Sequence, residues 1–354
     1  MTNSFTRNKS LLFAGVFGLI HLVIDLVTVS SAFAVSRIFD VPLVVGISSI
    51  VLYDILAFAG QPIIGWLSDN NATYHRVALI GIIMVMLSVP MLMFQPVVGL
   101  VLTGIGNACF HVGAGALSLG ATPGRATVPG IFVAPGAIGL GLGTVCGKSE
   151  LYYTWPFIGA LTVAFIAAMR TPVPQAVIVA KRKLLKVAHP TLVIAALLVS
   201  IAIRALVGFG GSSACKKTMA VKLSLMTVAF LGKGLGGIIS DRIGWIKGSV
   251  GALLISAPLI AFFGDEPVAL IAGFLFFQMT MPVTLVAVNE TMPGRPGLAF
   301  GLCCLALLAG SLLAFSREVQ SIYNSAFFFG LIIISATLVY FSLRHLSSKI
   351  PMKF

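Results

Sequence analysis

A few residues in this sequence stand where apolar surroundings make them costly. His21 and Asp25 lie four residues apart inside an apolar run over residues 11–36. At that spacing on a helix, two side chains share a face one turn apart. Asp54 lies in a second run, on one face with Phe58 and Gln61, and Asn107 and His111 lie in a fourth. Arg204 sits deep in a seventh run, on a face with Ser200 and Gly208. An ionised side chain at the centre of a bilayer costs about 2.5–3.5 kcal/mol on insertion scales, so each of these needs a reason. Imidazole titrates near neutral pH and a desolvated carboxyl can do so too. His21, Asp25, His111 and Asp54 are therefore candidates for holding and releasing a proton. Imidazole and carboxylate together also suit a transition metal. Arg204 suits an anion in a cavity, or an internal salt bridge. Asn107, His111, Arg204 and Phe58 are candidates for contact with a small solute.

The elements that position these residues follow from composition. Of the 354 residues, 58% are hydrophobic and 9% are charged, and the mean hydropathy is +1.06. Soluble domains carry about 25% charge, so the chain reads as an integral membrane protein. A span needs about 20 apolar residues. Twelve are expected: 11–36, 42–67, 77–94, 97–121, 126–145 and 151–169, then 190–210, 219–240, 246–263, 267–289, 298–315 and 323–343. The first run, broken by His21 and Asp25, is too long for a signal peptide and reads as a spanning helix.

With the N-terminus inside, fifteen basic residues fall on the inner side and five on the outer. That asymmetry places both termini in the cytoplasm and explains a net charge of +13 without nucleic acid. Lys216 and Lys217 read as solvated loop. The five cysteines show no CxxC spacing and read as small packing residues. The one long polar connector, 171–189, carries Lys181, Arg182, Lys183 and Lys186. It divides the chain into bundles at 1–170 and 190–354.

Internal repetition supports the division. Gly60 to Asp69 and Gly232 to Asp241 share one frame: Gly, four residues, Gly, two residues, Ser-Asp. Pro123-Gly124-Arg125 returns as Pro293-Gly294-Arg295. The offsets, 172 and 170, are nearly equal. Repeated halves in a membrane protein point to transporter architecture. The glycines allow close helix approach. Asp69 and Asp241 fall at inner helix ends, where a carboxylate can meet the positive N-terminus of a neighbouring helix or pair with Arg76 or Arg242. Gly65, Asp69, Arg76, Gly237, Asp241 and Arg242 are accordingly candidate gating residues.

These motifs resemble the major facilitator superfamily, whose loops carry Gly-x-x-x-Asp-Arg. Here Gly65-Trp-Leu-Ser-Asp69 is followed by Asn70 in place of the arginine, whereas Gly237-Ile-Ile-Ser-Asp241-Arg242 keeps it. Within that superfamily the sequence is similar to the fosmidomycin-resistance-type branch, through His21-Leu-Val-Ile-Asp25, Gln61-Pro62-Ile63-Ile64-Gly65 and Gly104-Ile-Gly106 followed by Phe110-His111. Val112 and Gly113 follow the histidine where that branch has proline and an acid. The glycine-rich run from Pro135 to Gly143 resembles the helix-5 motif of proton antiporters.

The resemblance implies an all-α fold of two six-helix bundles and proton-coupled efflux of a small anionic organic compound across the inner membrane. It also implies a monomer in the lipid bilayer, with no cofactor and no enzymatic activity. Uptake of an organic anion or phosphate-like solute by symport, divalent-metal transport through His21, Asp25 and His111, and a non-transporting membrane sensor are the alternatives. No P-loop occurs, which argues against coupling to ATP.

Overall fold

Without water to serve the backbone, a segment in hydrocarbon must satisfy its own amides, and a helix does so within itself. The computed structural model of the chain describes residues 2–38, 43–149, 154–173, 189–210 and 218–347. Apart from turns and short connectors, these residues are helical, with no strand among them. The first half comprises α1 (Thr2–Ile38), α2 (Leu43–Asp54), α3 (Gln61–Asn71), α4 (Tyr74–Phe94), α5 (Pro96–Ala121), α6 (Thr127–Lys148) and α7 (Thr154–Arg170). The second comprises α8 (Pro190–Gly210), α9 (Met219–Ile243), α10 (Gly251–Ala261), α11 (Pro267–Gln278), α12 (Thr280–Thr291), α13 (Pro296–Ala314), the short α14 (Arg317–Gln320) and α15 (Ser325–Ser347).

Ten stretches of the described residues are long and apolar enough to cross a membrane, and two shorter apolar helices accompany them. These twelve segments coincide with the twelve expected spans. The chain is a multi-pass, all-α membrane protein. The connector 174–188 and Lys216 and Lys217 lie outside the described residues.

Prolines set the boundaries. Pro96, Pro190, Pro267 and Pro296 each open a helix, where the missing N–H would have no partner in any case. Three expected spans are interrupted; the ninth opens on a π segment at Ile246–Val250 before α10. The second widens into a π turn at Ile55–Ala59, just before Pro62, whose nitrogen cannot donate. The tenth breaks at Met279 between α11 and α12, because Pro282 offers no N–H to the carbonyl of Gln278.

The chain forms two compact units. Unit one gathers residues 1–121, 135–179 and 295–301, and unit two gathers 122–134, 180–294 and 302–354. The starts of α6 and α13 are thus exchanged relative to a simple division at the connector. Both follow a Pro-Gly-Arg turn whose glycine has a positive φ, +72° at Gly124 and +79° at Gly294. A side chain there would be strained, which accounts for the repeated glycine.

Within unit one, α6 lies against α1 along Gly136, Gly139, Gly143 and Gly147. Added side chains at these positions would overlap His21, the Leu22 carbonyl, the Leu26 carbonyl and Ser30. Close approach of this kind is the packing mode available where lipid removes the hydrophobic drive between helices. On α5, Gly106 and Gly113 admit the backbone of α4 in the same way. Gly139→Leu should lower the thermal unfolding midpoint by the equivalent of about 1–3 kcal/mol or more, the cost of overpacking. Gly15→Leu, at a position with nothing within 4 Å, should change it by no more than about 0.5 kcal/mol. Equal midpoints for the two variants in one detergent would contradict the glycine seam.

Candidate functional site

Three polar side chains meet inside unit one. α1 brings His21 and Asp25 to one face, as their spacing predicts, and α5 brings His111 to them. His21 Nε2 lies 3.1 Å from Asp25 Oδ2, His111 Nε2 lies 3.4 Å from Asp25 Oδ1, and the two Nε2 atoms are 2.8 Å apart. Exposure is 5% at His21, 8% at Asp25 and 7% at His111, so bulk water contributes little to solvating the charge.

The tautomers follow from the neighbours. His111 Nδ1 is 2.9 Å from the Asn107 carbonyl, which can only accept, so Nδ1 carries a hydrogen. In a neutral His111, Nε2 then offers a lone pair, and His21 Nε2–H donates to it. The two rings stand edge to face, 4.5 Å between centroids at 89°.

Asn107, only 1% exposed, extends the cluster. Its Nδ2 donates to Thr28 Oγ1 at 3.0 Å, to the Tyr53 hydroxyl at 3.2 Å and to Asp25 Oδ1 at 3.4 Å. Tyr53 in turn donates to Thr28 at 3.0 Å. This network connects α1, α2 and α5. Sequence reasoning missed Thr28 and Tyr53; Thr28, one turn before Ala32 on the face of Asp25, carried only the weak signal of a small polar residue in an apolar run. Asp54, half-buried at the end of α2, makes none of these bonds. Phe58 packs instead on an apolar cluster of Val29, Ala32, Tyr53, Ala57, Leu92 and Leu100.

In unit two, Arg204 is buried at 7% exposure. Its Nη2 donates to Thr284 Oγ1 at 2.7 Å, and its Nε has no hydrogen-bond partner. Thr284 is anchored by donating to the Met281 carbonyl at 3.0 Å. Ser200, a turn before Arg204, pairs with Ser335 at 2.8 Å and holds α8 to α15.

The repeated motifs explain each other. Asp69 accepts from the backbone N–H groups of Gly297 at 2.8 Å and Leu298 at 2.9 Å, and from the Tyr74 hydroxyl at 2.8 Å. These two amides open α13. Asp241 accepts from Ala126 at 2.9 Å and Thr127 at 2.8 Å, from Thr127 Oγ1 at 2.6 Å and from Trp245 Nε1 at 3.1 Å. Those amides open α6. Each aspartate therefore caps the helix that follows the Pro-Gly-Arg turn of the opposite half of the sequence, where the helix dipole favours an anion. Gly65 and Gly237 lie directly against the Gly297 and Ala126 carbonyls, with no room for a side chain. A further bond joins the first turn to α12, where Glu290 Oε1 accepts from the Gly124 N–H at 2.9 Å.

Arg76 and Arg242, expected as partners of the two aspartates, are exposed. Backbone amides take that place, because two preorganised N–H groups at a helix start satisfy a carboxylate without ordering a long side chain. The signal for these partners was the repeated Pro-Gly-Arg turn itself.

No known family profile and no curated protein matches the sequence. Solved structures do. The chain is similar to an E. coli fucose:proton symporter, FucP, at 13% identity and TM-score 0.65, covering 95% of this chain and 96% of that one. It is similar to the proton:xylose symporter XylE at 11% identity and TM-score 0.65, covering 96% and 95%. It is also similar to a bacterial homologue of the iron transporter ferroportin at 15% identity and TM-score 0.60, covering 95% and 98%. The chain therefore shares the fold of these solved transporters.

Loss of either cap should weaken the protein. Asp69→Ala and Asp241→Ala should each cost about 0.5–2 kcal/mol, as lost N-cap acceptors do. Arg76→Ala should stay within about 0.5 kcal/mol. Thermal unfolding of the three variants checks this; a larger loss for Arg76→Ala would reinstate the arginine as the partner.

Proposed function

We propose that this chain is a secondary active transporter that exports a small anionic organic compound in exchange for protons. The observation that carries the proposal is the triad of His21, Asp25 and His111. It joins a carboxylate to two imidazoles through a chain of hydrogen bonds in which a proton has several closely spaced acceptors. Such a cluster gains or loses a proton with a small rearrangement, which coupling requires. Asp54, next to Tyr53 on α2, is proposed as a second stop for the proton. Asn107 links the occupancy of Asp25 to Tyr53 and so to α2.

Arg204 supports an anionic solute. A buried guanidinium with an unused N–H is expensive until an oxyanion completes it. In the first unit, His111, Asn107 and Phe58 are proposed as solute contacts in their own right. Alternating access is the mechanism proposed, and the likeness of the fold to solved transporters supports it. In this reading the Asp69 and Asp241 caps, seated on Gly65 and Gly237 and flanked by Arg76 and Arg242, hold one orientation and release in the other. The inner-side excess of basic residues supports cytoplasmic termini; an inner-membrane location and a monomer in the bilayer are part of the same proposal. A second reading, uptake by symport, is supported by the likeness to the two proton symporters, and the residues of the triad suit either direction.

Solute-dependent proton movement in proteoliposomes tests the proposal. Phosphonates and organic acids are screened first by thermal shift, and any solute that binds is then presented under a pH gradient. Export by exchange predicts proton movement opposite to the solute; movement with the solute selects symport, and solute flux indifferent to the gradient rejects coupling. Asp25→Asn should abolish gradient-driven accumulation while changing solute affinity less than about threefold. Accumulation at the unmutated level would move the proton site elsewhere. Asp69→Asn should lower turnover more than affinity and raise thiol labelling of a cysteine introduced near Leu298. Unchanged turnover and labelling would remove the cap from the gate.

A further inference from the structure

We propose that the His21–Asp25–His111 triad is also a binding site for one divalent first-row transition-metal ion. The proposal shares its residues with the proton reading but does not depend on solute or direction.

The spacing of the donor atoms is the first argument. Zinc binds imidazole nitrogen and carboxylate oxygen at about 2.0–2.2 Å. Two ligands at that radius are about 3.0 Å apart at adjacent octahedral positions and about 3.4 Å apart at tetrahedral ones. The donor separations here are 2.8, 3.1 and 3.4 Å. The carboxylate meets His21 with Oδ2 and His111 with Oδ1, and one donor atom from each of the three residues lies within 4.8 Å of the others.

The donor set is the second argument. Two neutral imidazoles and one carboxylate carry a single negative charge in a buried setting, and a divalent cation is attracted to it. Imidazole nitrogen selects manganese, iron, cobalt, nickel, copper or zinc over magnesium and calcium, which prefer oxygen throughout.

The surroundings are the third. Metal-binding histidines characteristically donate their other ring nitrogen to a fixed acceptor, which sets the tautomer. His111 Nδ1 does so to the Asn107 carbonyl at 2.9 Å, which puts the ring's lone pair on Nε2, the atom that faces His21 and Asp25. The Asn107 amide also orients the carboxylate through Asp25 Oδ1. His21 needs only to shift its hydrogen from Nε2 to Nδ1, the other neutral tautomer. Gly136 lets α6 pack directly on this edge, where any side chain would overlap His21 and Asp25, and so helps to fix the donor atoms in place.

The test uses the full chain, free of any purification tag, in detergent micelles, with Co²⁺ as the probe. One equivalent of Co²⁺ should give visible d–d absorption that Zn²⁺ removes and Mg²⁺ does not. His21→Gln and His111→Gln should each weaken Co²⁺ binding by about tenfold or more, with their metal-free thermal unfolding measured alongside. Cobalt-edge X-ray absorption of the unmutated protein keeps the proposal testable if the variants do not fold; it should show two imidazole donors. Absence of stoichiometric binding, binding undiminished in the double variant, or a spectrum without imidazole would each overturn it. The gradient-driven flux of the metal-free protein in chelator reads the proton proposal separately.

Discussion

A carboxylate in a hydrocarbon layer must be neutralised by whatever surrounds it. Three acids of this chain meet that requirement in two ways. Asp25 is held by two imidazoles and an amide, partners whose proton content can change. Asp69 and Asp241 are held mainly by backbone N–H groups, partners that cannot change their charge. The difference separates the roles proposed for them: the first cluster can exchange an ion, whereas the other two can only be made or broken as contacts. Arg204 presents the complementary case, a buried cation whose Nε still lacks an acceptor.

The packing around these groups follows from the same absence of water. Helices that carry polar clusters must fit closely, and glycine is what permits it. α6 meets α1 through Gly136 and Gly139 at the level of the triad. Gly65 and Gly237 let the two caps form. The prolines act on the backbone: Pro62 and Pro282 interrupt hydrogen-bond ladders in spans that hydropathy alone treats as continuous.

Much of the fold was legible because hydropathy and length dominate in a bilayer, and the spans fell where the apolar runs did. The pairing of His21 with Asp25 was legible from helical spacing. The contact of His111 with them, 90 residues away, was an expectation that periodicity could motivate but not place. For Asp69 and Asp241 a helix N-terminus as partner was legible, but not which helix. Side-chain charge suggested Arg76 and Arg242, while the backbone amides that take their place carry no sequence signature beyond a helix start after a Pro-Gly-Arg turn. The packing of Phe58 against Val29, Ala32 and Leu92 is a tertiary contact that one helix's periodicity cannot place. The solved relatives share the fold at 11–15% identity, so the fold constrains the architecture and leaves the chemistry to these particular residues.

The account rests on His21, Asp25 and His111 acting as one unit. The most direct measurement is ¹⁵N NMR of histidine-labelled protein in lipid nanodiscs, looking for coupling between the two Nε2 nuclei across their hydrogen bond. The structure predicts a resolved coupling with His111 Nε2 as acceptor, lost in Asp25→Asn or shifted with it. Two uncoupled imidazoles, each titrating as if the other were absent, would contradict it.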